Sequence, residues 1–188
     1  MDTKRCFFAV KLPKIDQYRQ KLVEINSQHD VRMSITRNDQ YHLTLQFYSD
    51  LAESEVNKVI DELEHIPVEP FSLSLVGTGV IPANKPKKTR VLYVDTQLGT
   101  TNLQHLVNIL RTKLRQLGLE VESRTYLPHL TVARIKHGRD REQVHESWMR
   151  STFDALEVKI DRIYLIESQL TPEGPIYTDL GEFELKKE

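Results

Sequence analysis

At 188 residues, 39% hydrophobic and 28% charged, the chain is long enough for one large domain or two small lobes, with the composition of an ordinary globular protein. A formal net charge of −1 and a pI near 6.7 argue against a broad basic surface for long nucleic acid but leave room for a local phosphate site. The single cysteine, Cys6, excludes an intrachain disulfide and makes a reducing, cytoplasmic setting the expectation; no stretch approaches the ~20 apolar residues of a membrane span, and the apolar run after Lys4 and Arg5 is too short for a secretion signal.

Residues 5–11 (Arg-Cys-Phe-Phe-Ala-Val-Lys) read as a first strand, with Cys6 a small core residue. Pro13 suits the first position of a helix, and Ile15, Tyr18, Leu22 and Ile25 at helical spacing predict an amphipathic helix over 14–28. Residues 29–40 are polar and read as an irregular connection with a turn at Asn38-Asp39. A strand over 41–48 follows, then a helix over 53–65 closed by Pro67, then a strand over 71–80. Residues 81–90 form a loop with the basic cluster Lys85-Pro-Lys-Lys-Thr-Arg90, read as a solvated loop able to steer an RNA backbone. A strand starts at Arg90. Leu103, Leu106, Val107, Leu110, Leu114 and Leu117 make the strongest helical stripe, which Gly118 is placed to stop. A strand over 129–135, a helix over 139–150 around Val144 and Trp148, and strands over 156–168 and 177–185 joined by a turn at 171–175 complete the chain.

Two of these strands share a motif: His42-Leu-Thr-Leu and His129-Leu-Thr-Val. Alternation puts His42, Thr44 and Gln46 on one side and Leu43, Leu45 and Phe47 on the other, toward the core. Each copy then presents an imidazole and a hydroxyl side by side, roughly 6–7 Å apart along the strand. His129 lies 87 positions after His42, and each half runs strand, helix, polar connection, motif strand, helix, strand. The chain is therefore read as one domain, 1–188, of two pseudo-repeats, about 1–80 and 88–168, with a C-terminal strand region 169–188. A pseudo-two-fold arrangement would bring the motif strands to a shared cleft.

His29, His65, His105, His137 and His145 lack a repeated setting and read as surface or satisfied residues. His42 and His129 differ because each has a Thr two residues on, in equivalent places. Imidazoles titrate near pH 6.5, so one can take a proton while the other gives one. Threonine hydroxyls can donate to phosphoryl oxygens without adding charge. The set suits in-line displacement at phosphorus by acid–base catalysis. A thiol nucleophile is not indicated, and with no HExxH, no CxxC and Thr a poor ligand, neither is a metal site. Arg134 has the forked donors a phosphate needs; strict alternation turns it from the His129 face, and a bulge would bring it back.

His42-Leu-Thr-Leu and His129-Leu-Thr-Val-Ala-Arg134 resemble the paired motifs of the two-histidine (2H) phosphoesterases. Within that superfamily the chain is similar to the RNA 2′,3′-cyclic phosphodiesterases, historically called 2′-5′ RNA ligases. The likeness runs nearly end to end, through Arg5-Cys-Phe-Phe-Ala-Val-Lys-Leu-Pro13, Arg90-Val-Leu-Tyr93, Tyr126-Leu-Pro-His129 and Leu165–Tyr177. It implies a bilobal α+β fold of two pseudo-symmetric lobes, each an antiparallel sheet with helices on its outer face, around a central cleft. It implies hydrolysis of terminal 2′,3′-cyclic phosphates to 2′-phosphates without metal or other cofactor, with His42 as general acid, His129 as general base, and Thr44, Thr131 and Arg134 on the phosphate. Phe47 matches a family position near the nucleobase, against its inward placement by alternation. Tyr41, Gln46 and Tyr93 depart from the residues usual in relatives and bear on the cleft rim and lobe packing. The partners implied are RNA ends or small cyclic nucleotides, with no membrane and no obligate protein partner, and a monomer as the default. Action on 2′-5′ linked oligonucleotides, as phosphodiesterase or ligase, and a non-catalytic module that binds RNA ends are the alternatives.

Overall fold

A computed structural model describes residues 2–188. Ten strands form two five-stranded sheets: β1 (Thr3–Lys11), β2 (Val31–Ile35), β3 (His42–Ala52), β4 (His65–Ile66), β5 (Phe71–Ile81), β6 (Val91–Thr96), β7 (Leu130–Gly138), β8 (Leu156–Ile160), β9 (Arg162–Thr171) and β10 (Gly174–Leu185). The first sheet has the order β3-β1-β9-β10-β4 and the second β2-β7-β6-β5-β8. All neighbours are antiparallel except β10 and β4. Four helices are added: α1 (Gln17–Gln28), α2 (Glu53–Glu62), α3 (Thr100–Gln116) and α4 (Arg141–Met149). This is the bilobal α+β fold.

The lobes do not follow the sequence halves. β2 and β5 leave the first half to join the second sheet, and β9 and β10 return to the first. The helices cross likewise, with α1 against β2, β7 and α4, and α3 against β3 and β4. Each sheet depends on strands from both halves, so one buried apolar cluster runs through both. Leu103, Leu106, Leu110 and Leu114 of the α3 stripe lie inside it at 0% exposure, and Leu117, just past the helix, packs against it half-buried. Gly118 ends the helix region at φ +88°, where a side chain would be strained. Trp148 of α4 is fully buried and its Nε1–H is shared between the carbonyls of Gly79 and Tyr93, tying this helix to β5 and β6.

Four expectations need correction. Pro13 does not open a helix: Leu12 N–H donates to the Tyr41 carbonyl, which keeps the chain beside β3, and α1 starts only at Gln17. Part of the polar stretch 29–40 is β2, an edge strand whose Val31, Met33 and Ile35 pack on the core while Arg32 and Ser34 face out. The helix over 53–65 stops at Glu62, and His65–Ile66 instead pair with β10. Residues 156–168 are not one strand: the chain leaves the second sheet after Ile160 and enters the first at Arg162. No helix of the described residues is long and apolar enough to cross a membrane.

Candidate active site

The motif strands are central to the site, and each carries the same irregularity. Opposite β3, β1 pairs Phe8 with Gln46 and Ala9 with Thr44, so Leu45 is an extra residue. Opposite β7, β6 pairs Leu92 with Ala133 and Tyr93 with Thr131, so Val132 is extra. These are bulges, and a bulge reverses the phase of a strand. Leu45 and Gln46 both turn inward, as do Val132 and Ala133. The residue five beyond each histidine therefore returns to the histidine's face: Phe47 in one copy, Arg134 in the other. Strict alternation fails here. Gln46, expected beside His42, is 5% exposed, and Phe47, expected against the core, is 43% exposed.

Both imidazoles are anchored alike. His42 Nδ1 lies 2.8 Å from the Gln40 carbonyl oxygen, and His129 Nδ1 lies 2.8 Å from the Leu127 carbonyl oxygen. A carbonyl only accepts, so Nδ1 carries the hydrogen in both rings and Nε2 is left as the proton-exchanging atom. Aromatic rings fix the ring planes. His42 stacks on Phe7 (centroids 4.7 Å apart) and meets the edge of Tyr177 at 5.4 Å. His129 meets Tyr93 at 5.4 Å. Tyr93 lies where a Cβ on Gly79 would stand 2.1 Å from its ring, so the glycine opposite makes room for it. Phe7, Ala9 and Ile166, with Tyr164 and Tyr177, form a small apolar cluster apart from the main core, the floor on which His42 rests.

Burial holds the His42 pKa below its ordinary value; the Gln40 hydrogen bond opposes this, and the positive charge of Arg134 adds to it. The last effect carries geometric information. An arginine of the second sheet lies near enough to a histidine of the first for its charge to be felt there, and the two bulged strands are neighbours in space. Replacing Arg134 by methionine is expected to raise the His42 pKa, because a repelling cation is removed. Imidazole C–H titration by NMR checks this: a His42 midpoint below 6.5 in the parent and an upward shift in the variant are the expected results. An unchanged midpoint would place Arg134 outside the cleft.

A cavity of about 480 Å³ opens beside His42, with Lys11, Gln40, Ile166, Tyr177 and Asp179 among its lining residues. Thr44 is exposed and Thr131 half-buried, on the histidines' face. The chain reaches His129 through residues 119–128, which form no helix or strand and are held by donors from the first lobe: Tyr48 Oη to the Glu120 carbonyl (2.7 Å), Arg111 Nη1 to that of Arg124 (2.7 Å), and Gln104 Nε2 to that of Tyr126 (3.3 Å). In the opposite sense, Gln46 Oε1 accepts from Glu122 N–H at 3.3 Å. The strand that carries His42, and the helix packed against it, thus also hold the approach to His129. This brace leaves no trace in the sequence, since donors to backbone carbonyls have no motif. Phe7 and Tyr177 also escape motif reasoning; the unbroken apolar run Cys6–Val10, a strand buried on both faces, is the available hint.

Tyr41 is a core residue, 2% exposed, that also borders the cavity beside His42. His145 binds the Thr89 hydroxyl at 2.9 Å beside the 3-10 turn Pro86–Lys88 of the basic loop, and so belongs to the packing of α4. Cys6 is fully buried, which pushes its thiol up to about 11. Among the described residues no three His, Cys, Asp or Glu side chains are grouped to hold a metal ion.

The sequence profile of the 2′-5′ RNA ligase superfamily matches residues 9–172. A protein of Methanothermobacter thermautotrophicus named RNA 2′,3′-cyclic phosphodiesterase is 29% identical over 187 residues, 96% of this chain and 98% of its own length. One of Aquifex aeolicus with the same name is 34% identical over 148 residues, 77% of each chain. Among solved structures, the protein TT0787 of Thermus thermophilus superposes with a TM-score of 0.70 at 27% identity, over 98% of this chain and 99% of that one.

Proposed function

This chain belongs to the 2′-5′ RNA ligase superfamily, and on that premise we propose that it is an RNA 2′,3′-cyclic phosphodiesterase whose two histidines open a terminal cyclic phosphate to a 2′-phosphate. The observation that carries the reading is the matched pair of imidazoles, each with Nδ1 tied to the carbonyl two residues back and Nε2 left free.

His129 Nε2 takes a proton from the attacking water as its oxygen bonds to phosphorus. The P–O3′ bond breaks on the opposite side, and the protonated Nε2 of His42 gives its proton to O3′. Water is consumed, and the products are a 2′-phosphate and a 3′-hydroxyl. Thr44 and Thr131 donate to the non-bridging oxygens, and Arg134 offsets the charge that builds on them. Burial makes His42 the stronger acid once protonated, and a bound phosphate anion supplies the opposite charge that favours its protonated form. Run backwards, toward ligation, the two roles exchange. The exposed ring of Phe47 offers a stacking face for a base. All of these groups come from one chain, which supports a monomer as the acting unit. A cytoplasmic location fits the lone, buried Cys6.

Phosphorus NMR of a short RNA ending in a 2′,3′-cyclic phosphate, incubated with the protein in EDTA, tests the reading. The expected product is the 2′-phosphate. A 3′-phosphate would exchange the leaving oxygen and the acid–base roles; no conversion would move the substrate to 2′-5′ linked oligonucleotides or reduce the site to binding.

A further inference from the structure

β1 is regular where β3 is bulged, so Arg5, Phe7, Ala9 and Lys11 share its cleft face. Three cations lie on this strand. Lys4, on the other face, is paired with Glu167 at 3.1 Å, and Lys11 with Asp179 at 2.5 Å. Arg5 has no carboxylate partner among the described residues. Its guanidinium instead lies 4.6 Å from the centroid of the Phe47 ring, itself exposed on the same open face.

A guanidinium resting on a ring is held in place while its N–H edges stay free, the arrangement that suits bidentate contact with a phosphate. Its position is informative. Phe7 touches the His42 ring, and Arg5 is two residues further along the strand, roughly 6–7 Å beyond. Tyr177 meets Phe7 edge-on at 5.3 Å; burial raises the pKa of its phenol, and the nearby charges of Arg134 and Arg5 oppose this, so both arginines lie near the same part of the floor. Arg134 comes from the motif strand that carries His129. Arg5 stands one step away from the reacting position, on the far side of Phe7 from His42.

We propose that Arg5, seated on Phe47, holds the phosphodiester immediately 5′ of the terminal nucleotide, and so makes the site prefer an RNA strand over a mononucleoside cyclic phosphate. The inference rests on the reaction proposed above. It assigns a ligand, a backbone phosphate of single-stranded RNA, to a residue pair that the chemistry of the terminal phosphate does not require.

The test compares a trinucleotide ending in a 2′,3′-cyclic phosphate with adenosine 2′,3′-cyclic phosphate. In Arg5→Gln the preference for the trinucleotide, taken as the ratio of kcat/KM values, is expected to fall about tenfold through KM, with Arg5→Lys between variant and parent. The slope of log Kd against log salt for the trinucleotide should shrink by about 0.7, the loss of one phosphate contact on a single strand. An unchanged ratio, whether both substrates lose equally or neither loses, overturns the proposal; equal loss would put Arg5 on the reacting phosphate. If the parent opens neither substrate, the reading of the reaction fails separately, and anisotropy of a labelled trinucleotide bearing a 2′-phosphate decides this one. Binding about tenfold weaker in Arg5→Gln supports it, and a change under twofold ends it. Arg5 is exposed, and circular dichroism establishes that the variants fold.

Discussion

His42→Ala and His129→Ala are each expected to lower turnover of the cyclic phosphate by about 10³–10⁴, the upper range for a general acid or base. Removing both should cost little more than removing the worse one, because the two protons move in one displacement and the groups act as a unit. The anchoring supports so large an effect. Each Nδ1–H is committed to a backbone carbonyl at 2.8 Å, so each ring is fixed in tautomer as well as in plane. Water could replace the proton transfer but not the fixed geometry. The roles separate with a substrate whose leaving group needs no proton, such as a nitrophenyl phosphodiester. There the His42→Ala defect should shrink while the His129→Ala defect persists. Activity within tenfold of the parent in either single variant, with unfolding unchanged, would defeat the two-histidine mechanism. The reverse pattern with the activated substrate would keep it and exchange the assignments.

The repeated His-Leu-Thr strands, the leucine stripe of α3 and its stop at Gly118 were legible because each rests on local periodicity. The exchange of strands between halves was not. Nothing in Phe71–Ile81 says that its partners are Val91–Thr96 and Leu156–Ile160 in the second sheet, since pairing depends on contacts remote in sequence. β2 was within reach, since Val-Arg-Met-Ser-Ile alternates; its arginine, natural on an edge strand, and the polar residues around it hid it. The bulges matter most. A strand that alternates in sequence gives no notice that Leu45 or Val132 is an extra residue, yet that residue decides whether Phe47 and Arg134 point to core or cleft. The motif located the paired imidazoles, and the irregularity returns Phe47 and Arg134 to their face.

Arg134→Met is the second variant expected to have a large effect, a loss of about 10²–10³ in kcat. Several features argue that it acts on the transition state more than on binding. Arg134 is exposed and has no carboxylate partner among the described residues, so its charge is available to the cleft. It is delivered by the bulge at Val132 to the face of His129 and Thr131, and its charge reaches His42 across the cleft. A fork at that point meets the oxygens whose charge grows as phosphorus becomes five-coordinate. The neutral variant also leaves His42 easier to protonate, which by itself favours the acid; the net loss measures stabilisation of the phosphoryl charge against that partial gain. Arg134→Lys keeps the charge but not the planar fork, and should recover at most a tenth of the lost rate. If the loss appeared in KM with kcat unchanged, Arg134 would be a binding residue like the one inferred for Arg5. The two bulged strands would then differ from the present reading: the histidines alone would carry the chemistry, with both arginines serving to hold the strand.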